Sequence, residues 1–222
     1  MLNTWLETAV VVLVGGIVFA LLHRVNKKYR VPTAIGLGVW LLYSGAMAAF
    51  GLLLDFDSMP PPMFRVVVPG IVGVTAIAFS KLGTRIVKDL SYVELIGFQS
   101  FRIPVELILL GLMHAGTIPI QMTFEGRNGD ILTGISALFV AYAVRKKPKR
   151  GLIWAWNIFG LALLVNIVTV AILSMPGRTR TFMNEPPNLA VFSFPYVWIP
   201  AVFVMLALFG HLLVFRKLLG PK

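Results

Sequence analysis

The sequence contains no cysteine, and charged residues make up only 13% of it. Without cysteine, the chain has no disulfides, no thiolate metal sites, no iron–sulfur clusters and no c-type haem attachment. Soluble domains carry about 25% charged residues. The low charge, together with a hydrophobic share of 58%, therefore excludes an ordinary soluble fold and predicts an integral membrane protein.

Acidic residues are also scarce: nine Asp and Glu face twenty Lys and Arg, which gives a net charge of +11. These cations stand in short loops beside apolar stretches, a pattern typical of membrane topology, so we expect no nucleic-acid partner. Glu7 and the lack of Lys or Arg before the first apolar stretch are unlike a cleavable signal peptide. No HExxH, GxSxG or P-loop motif occurs, so no common reaction class is indicated.

Long hydrophobic runs are what the sequence has instead. A membrane-spanning helix needs roughly 20 mostly apolar residues, and seven apolar stretches fill most of the chain. We therefore predict an all-α fold, a single seven-helix transmembrane domain over residues 1–222. The predicted spans are 8–22, 32–54, 64–79, 101–119, 131–144, 152–173 and 194–215. Because the apolar run over 90–119 is too long for one span, an interfacial helix is predicted over 89–99.

Basic residues alternate between the ends of successive predicted spans. Fifteen Lys and Arg follow the first, third, fifth and seventh spans, whereas four (Arg65, Arg127, Arg178 and Arg180) follow the others. Cytoplasmic loops of membrane proteins carry an excess of Lys and Arg. This pattern predicts that the N-terminus lies outside and the C-terminus in the cytoplasm.

The fourth predicted span carries polar residues that are rare in hydrocarbon. Gln99, Arg102, Glu106 and His114 fall within an arc of about 120° on a helix. Ionisable groups in a membrane face the interior of the bundle and pair with one another. Arg102 and Glu106, four residues apart, are predicted to neutralise each other. The arc is interpreted either as a substrate or proton site around Glu106 and His114, or as a structural ion pair with a hydrogen-bonded histidine.

A second polar cluster, which includes Glu125, Arg127, Asn128 and Asp130, precedes the fifth predicted span. That span has an apolar core of about 14 residues, only about 21 Å long. The polar segment before it is therefore predicted to sink below the outer membrane surface, where Asn128 or Asp130 caps the helix. Local thinning of the bilayer, with a simple surface turn, is the alternative. Taken together, the two clusters predict one outward-facing polar pocket.

The two clusters also carry a resemblance to a known family. The segments Phe101–Leu107 and Met122–Leu132 resemble a family of uncharacterised bacterial multi-pass membrane proteins, mainly over residues 99–137 and more weakly over 194–218. The resemblance implies a multi-pass protein of a bacterial plasma membrane and implies no activity. The candidate ligand-binding residues are Arg102, Glu106, His114, Glu125, Arg127, Asn128 and Asp130.

Three functions remain open at this stage. The first is a transporter-like or ligand-binding protein with an outward polar pocket between the fourth and fifth spans. The others are an accessory subunit of a larger membrane complex and a membrane-embedded enzyme. The expected partners are the lipid bilayer and either other membrane subunits or a small-molecule or ion substrate. We expect no metal and no cofactor; a haem held by His23 and His211 is not expected, because histidines at span ends commonly have other roles.

Overall fold

The computed structural model describes residues 4–220, and the regular structure within that range is helical. The helices are α1 (Thr4–Arg24), α2 (Lys27–Ala49), α3 (Phe64–Phe79), α4 (Lys81–Asp89), α5 (Tyr92–Gly97), α6 (Arg102–His114), α7 (Asp130–Val144), α8 (Arg150–Leu173) and α9 (Met205–Leu219). Short 3₁₀ turns occupy Phe98–Phe101, Ile120–Met122 and Ala190–Phe192, and a π-helical segment, Ile199–Val204, leads into α9. The all-α class predicted from the sequence is confirmed.

Within the described range, 4–220, five helical segments are long and apolar enough to cross a membrane: α1, α2, Tyr92–His114, α8 and Ile199–Leu219. A sixth span results if α3 and α4, which meet at a bend of 67°, form one broken span. α7 is apolar but has only 15 residues. These helices indicate an integral multi-pass membrane protein, whereas the count of seven spans and the orientation stay predictions.

The helix expected over 89–99 is corrected by the structure. Asp89 ends α4, and Ser91 begins a new helix through a capping box in which its side chain and that of Glu94 each bond the other's backbone N–H. α5 then runs through the 3₁₀ turn at Phe98–Phe101 into α6, so that Tyr92–His114 forms a single candidate span. The separate short helix is α4, which Ser80 begins by accepting the N–H groups of two residues in its first turn.

Other helix ends also differ from the predicted spans. The fourth span was predicted to reach Pro119, but α6 ends at His114, and Gly116 beyond it has a left-handed backbone with φ +68°. The second span was predicted to begin at Pro32. α2 instead begins at Lys27, because Asn26 caps it and Pro32 is tolerated inside the helix.

The interior of the described part of the chain contains two separate apolar cores. The first joins α1, α6 and the π-helical segment, and the second joins α5 with the C-terminal parts of α7 and α9. α8 and α9 contribute to both cores, since Leu164 and Ala207 belong to the first and Trp156 and Leu213 to the second. Buried polar side chains separate the cores, and we call these residues the polar layer: Gln99, Thr133, Asn157 and His211.

The bend between α3 and α4 generates a first prediction. A Cβ atom at Gly83 would lie 2.1 Å from the backbone oxygen of Ala78, so we expect Gly83→Ala to force the two helices apart. Overpacking of this kind costs about 1–3 kcal/mol. The melting temperature of the detergent-solubilised protein should therefore fall. Gly73→Ala is the matched control, since its Cβ would meet no atom of residues 4–220 within 4 Å. Equal melting temperatures for the two variants would contradict the bend geometry.

Candidate functional site

Four of the seven candidate site residues come together inside the helix bundle. Arg102 and Glu106 lie on α6, Asp130 is the first residue of α7, which packs against α6, and Asn128 lies two residues before it. All four are buried; Arg102 and Glu106 are each only 2% exposed. We call these four residues the charged cluster. Ionisable groups inside a helical membrane protein are costly and mark functional sites or obligatory pairs.

Arg102 pairs with Asp130, which corrects the predicted pairing with Glu106. The Nη1 atom of Arg102 donates to Asp130 Oδ1 at 3.0 Å and to the backbone oxygen of Gly160 at 3.4 Å. The prediction considered only one helix, on which Glu106 is the carboxylate four residues away. In the folded bundle, α7 brings a carboxylate from another helix within reach. Two other nitrogens of Arg102, Nε and Nη2, are buried and have no hydrogen-bond partner among the described residues.

Glu106 is instead held by an amide. Asn128 Nδ2 lies 2.7 Å from both carboxyl oxygens of Glu106 and 3.0 Å from the backbone oxygen of Met122. Within residues 4–220, no Lys or Arg nitrogen lies within 4.0 Å of the Glu106 carboxyl group. Asn128 Oδ1 accepts the backbone N–H of Asp130 at 3.0 Å, so the same side chain also satisfies the first N–H of α7.

The other three candidates lie outside the charged cluster. His114 is exposed at the C-terminal end of α6, and Glu125 and Arg127 are exposed in the loop before α7. The guanidinium of Arg127 lies 5.0 Å from the centre of the Phe182 ring, and its backbone oxygen accepts a hydrogen bond from Asn166 Nδ2 at 2.7 Å. Of the two predicted clusters, the structure therefore brings together Arg102 and Glu106 from the first and Asn128 and Asp130 from the second. Whether the polar segment sinks below a membrane surface stays a prediction.

The loop before α7 is folded back tightly, and this positions Asn128. At Gly126, a Cβ atom would lie 2.4 Å from the backbone oxygen of Ile120. The two segments of the loop approach so closely here that only glycine fits. Gln121 joins the loop to the segment after α8, donating to Ser174 Oγ at 3.1 Å and accepting from Asn184 Nδ2 at 2.9 Å. These contacts hold the loop against α8.

The polar layer lies next to the charged cluster inside the bundle. His211 Nδ1 lies 2.7 Å from Asn157 Oδ1, and Asn157 Nδ2 donates to the backbone oxygen of His211 at 3.2 Å. Gln99 Nε2 donates to the backbone oxygen of Ala207 at 3.0 Å. The layer approaches Arg102 at Gly160, where an added Cβ would lie 2.6 Å from His211 Cε1 and 2.7 Å from Thr133 Cγ2.

Three members of the polar layer, Thr133, Asn157 and His211, were missed as part of the site, whereas Gln99 was placed in the predicted polar arc. The three are single polar residues in otherwise apolar helices, and Asn157 and His211 stand 54 residues apart in the chain. The sequence does contain one signal for them. An asparagine or a histidine buried in an apolar helix needs a hydrogen-bond partner, because burying it without one is costly. That signal does not say which helix supplies the partner.

His23 and His211 have unlike surroundings. His23 is exposed at the end of α1 and stacks on Phe19, with ring centres 6.2 Å apart. His211 is 0% exposed, and its ring lies against Trp156 at 5.6 Å between centres. One nitrogen of His211 is already bonded to Asn157, so the ring is held in a protein hydrogen bond.

A small cavity adjoins the charged cluster. Its volume is about 40 Å³, and its wall includes Arg102, Glu106 and Asp130 together with apolar residues of α8 and the π-helical segment. A buried water needs about 10–15 Å³ of such space, so the cavity has room for a few waters. Sites for organic ligands measure about 300–1,000 Å³, so the cavity does not accommodate an organic solute in this conformation.

A family model described as Domain of unknown function (DUF8737) matches residues 63–219. The matched range contains every residue of the charged cluster and of the polar layer. Among curated proteins and solved structures, nothing matches the chain. The segments that carry the resemblance to bacterial multi-pass membrane proteins also lie within the matched range, over 99–137 and 194–218.

The corrected ion pair generates a second prediction. Removing one partner of a buried ion pair costs about 3–5 kcal/mol, because the other charge is left unpaired. We expect Arg102→Met to lower the free energy of unfolding, measured by denaturant titration in mixed micelles. Adding Asp130→Asn should restore much of the loss, since no buried charge then lacks its partner.

The matched control replaces the other carboxyl group. Arg102→Met combined with Glu106→Gln should stay nearly as unstable as Arg102→Met alone. Greater rescue by Glu106→Gln than by Asp130→Asn would show that Arg102 pairs with Glu106 after all.

Proposed function

The chain belongs to the family described as Domain of unknown function (DUF8737), and we propose that it is a transport protein of a bacterial plasma membrane that moves protons. In this proposal Glu106 is the group that binds the transported proton. The charged cluster between α6 and α7 forms the polar site of this proposal, and the cation asymmetry of the loops supports an orientation in which the loop from the end of α6 to the start of α7 lies outside.

The observation that carries the proposal is the surroundings of Glu106. Its carboxyl group is 2% exposed and is bonded to the Asn128 amide, with no Lys or Arg nitrogen within 4.0 Å in residues 4–220. Arg102, the nearest arginine along the helix, is engaged by Asp130. A carboxylate in hydrocarbon without a direct cation is costly, and such a group avoids the cost by taking up a proton. Buried carboxyl groups of this kind serve as proton relays in membrane transporters.

The size of the adjoining cavity favours a proton over a larger substrate. The cavity of about 40 Å³ touches Glu106, Asp130 and Arg102, and water is the ligand that fits its volume. Waters beside a buried carboxyl group supply the hydrogen-bonded partners that a proton needs to arrive and leave. An organic substrate, where one is coupled to the proton, requires another conformation.

Proton movement in reconstituted vesicles tests the proposal. We expect vesicles that contain the protein and an internal pH-sensitive dye to acidify or alkalinise faster than empty vesicles when a potassium gradient and valinomycin impose a membrane potential. Glu106→Gln should reduce the rate to that of empty vesicles, because the amide cannot take up the proton.

Glu125→Gln is the matched control, since Glu125 is an exposed carboxyl group of the adjacent loop. It should retain the rate of the unmodified protein. A rate in the unmodified protein equal to that in the Glu106→Gln protein would contradict proton transport through this site.

A further inference from the structure

A group of exposed cations lies where α1 leads into α2 and where α3 bends into α4. We call these cations the basic surface: Lys27 and Lys28 at the start of α2, and Lys81, Arg85 and Lys88 on α4. A hydrogen bond shows that the two parts adjoin, since Arg85 Nη1 donates to Tyr29 Oη at 2.7 Å. The basic surface shares no residue with the charged cluster or the polar layer.

The helix α4 presents its cations on one side and packs against the protein with another. Its three cations stand four and three residues apart, which is the spacing of a single helix face. Ile86 and Val87 pack against the second apolar core. Two large apolar side chains beside the cations, Phe79 and Leu82, are exposed. A basic helix with exposed apolar neighbours fits the boundary between lipid headgroups and acyl chains.

Two cations of the basic surface converge on one aromatic ring. The guanidinium of Arg85 lies 5.5 Å from the centre of the Tyr29 ring, and Lys28 Nζ lies 5.7 Å from the same centre. The Tyr29 hydroxyl accepts one N–H of Arg85, which leaves other N–H groups of the guanidinium for a further acceptor. Because like charges repel, an anion between these two cations would stabilise the arrangement.

The described carboxylates leave the basic surface with excess positive charge. Within residues 4–220, no Asp or Glu oxygen lies within 4.0 Å of a side-chain nitrogen of its five cations. Glu94 on α5 is paired with Arg24. Asp89, the last residue of α4, is one carboxylate against five cations. The surface therefore has the charge to bind an anion from outside the chain.

We propose that the basic surface binds the headgroup of an anionic phospholipid. Arg85 and Lys28 donate to the phosphate oxygens, and Tyr29 positions Arg85. Exposed Phe79 and Leu82 favour a lipid over free phosphate, because acyl chains bury apolar surface and a free ion does not. Clusters of Lys and Arg beside membrane-spanning helices attract anionic lipids. This site is independent of the proposed proton transport, since it uses other residues.

Lipid titration of the full-length protein in detergent micelles, followed by native mass spectrometry, tests the proposal. We expect the protein to bind phosphatidylglycerol more tightly than phosphatidylcholine, which has no net charge. Lys28→Gln combined with Arg85→Gln should weaken the binding of the first phosphatidylglycerol by roughly 10- to 30-fold, because each cation near an anionic headgroup contributes to binding. Inorganic phosphate at the same concentration as the lipid should not displace it.

The matched control is Lys146→Gln combined with Lys147→Gln, which removes the same number of exposed charges from the loop between α7 and α8. It should leave the affinity for phosphatidylglycerol unchanged. Tyr29→Phe keeps both cations but removes the hydroxyl that holds Arg85, so it should weaken binding less than the double substitution. Without added lipid, all these variants should melt close to the unmodified protein, because exposed contacts contribute little to stability.

Lys28→Gln alone keeps the bond between Arg85 and Tyr29 and should still weaken the binding of phosphatidylglycerol, so the test does not depend on the stability of an Arg85 variant. Three results overturn the proposal. One is equal affinity for phosphatidylglycerol and phosphatidylcholine. Another is a loss in the double variant no greater than the loss in its control. The third is displacement of the lipid by inorganic phosphate, which would make the surface a site for the free ion.

Discussion

The ion pair between Arg102 and Asp130 is the interaction on which the rest of the structure depends. A guanidinium that is 2% exposed in an apolar bundle is tolerated only with a carboxylate beside it. That carboxylate comes from the first residue of α7, so the start of α7 is held at the level of the start of α6. The close helix contact is allowed by Gly134, where a Cβ would lie 2.9 Å from Ile103 Cγ1.

The short length of α7 and the fold of the preceding loop follow from this pair. Asp130 contacts Arg102 and Asn128 contacts Glu106, so the polar segment before α7 lies inside the bundle. For this reason α7 has only 15 residues. The loop is stabilised by hydrogen bonds within itself and with the segment after α8. Gly126 permits the closest contact between two segments of the loop. The apolar run of the fifth predicted span is short because its first turn belongs to the charged cluster.

Much of the helical framework was predictable from the sequence, whereas the pairing of polar side chains between helices was not. Apolar runs and capping residues are local, so α3 and α7 begin and end within a residue of the predicted spans. The boundary errors arose where a cap outweighed hydropathy, as at Ser91, or where a glycine ended the helix early, as near His114. Of the candidate site, Arg102 and Asp130 were identified singly, but a helical spacing rule can pair Arg102 only with its own helix. The contact between His211 and Asn157 joins helices α9 and α8, and no local pattern encodes such a contact.

The buried polar residues of three helices share one position, between the two apolar cores of the interior. Gln99, Asn157 and His211 each lie between residues of the first core and residues of the second along their own helices. A continuous apolar core would pack more simply. The polar layer contains several buried atoms that have no hydrogen-bond partner within residues 4–220, which is a cost that packing alone does not explain. The π-helical segment borders the cavity, and α2 holds it through bonds from Trp40 to Ala201 and from Trp198 to Leu41. Because π turns interrupt the regular helix and frequently occur at functional sites, the segment places an irregular backbone at the cavity that Glu106 also lines.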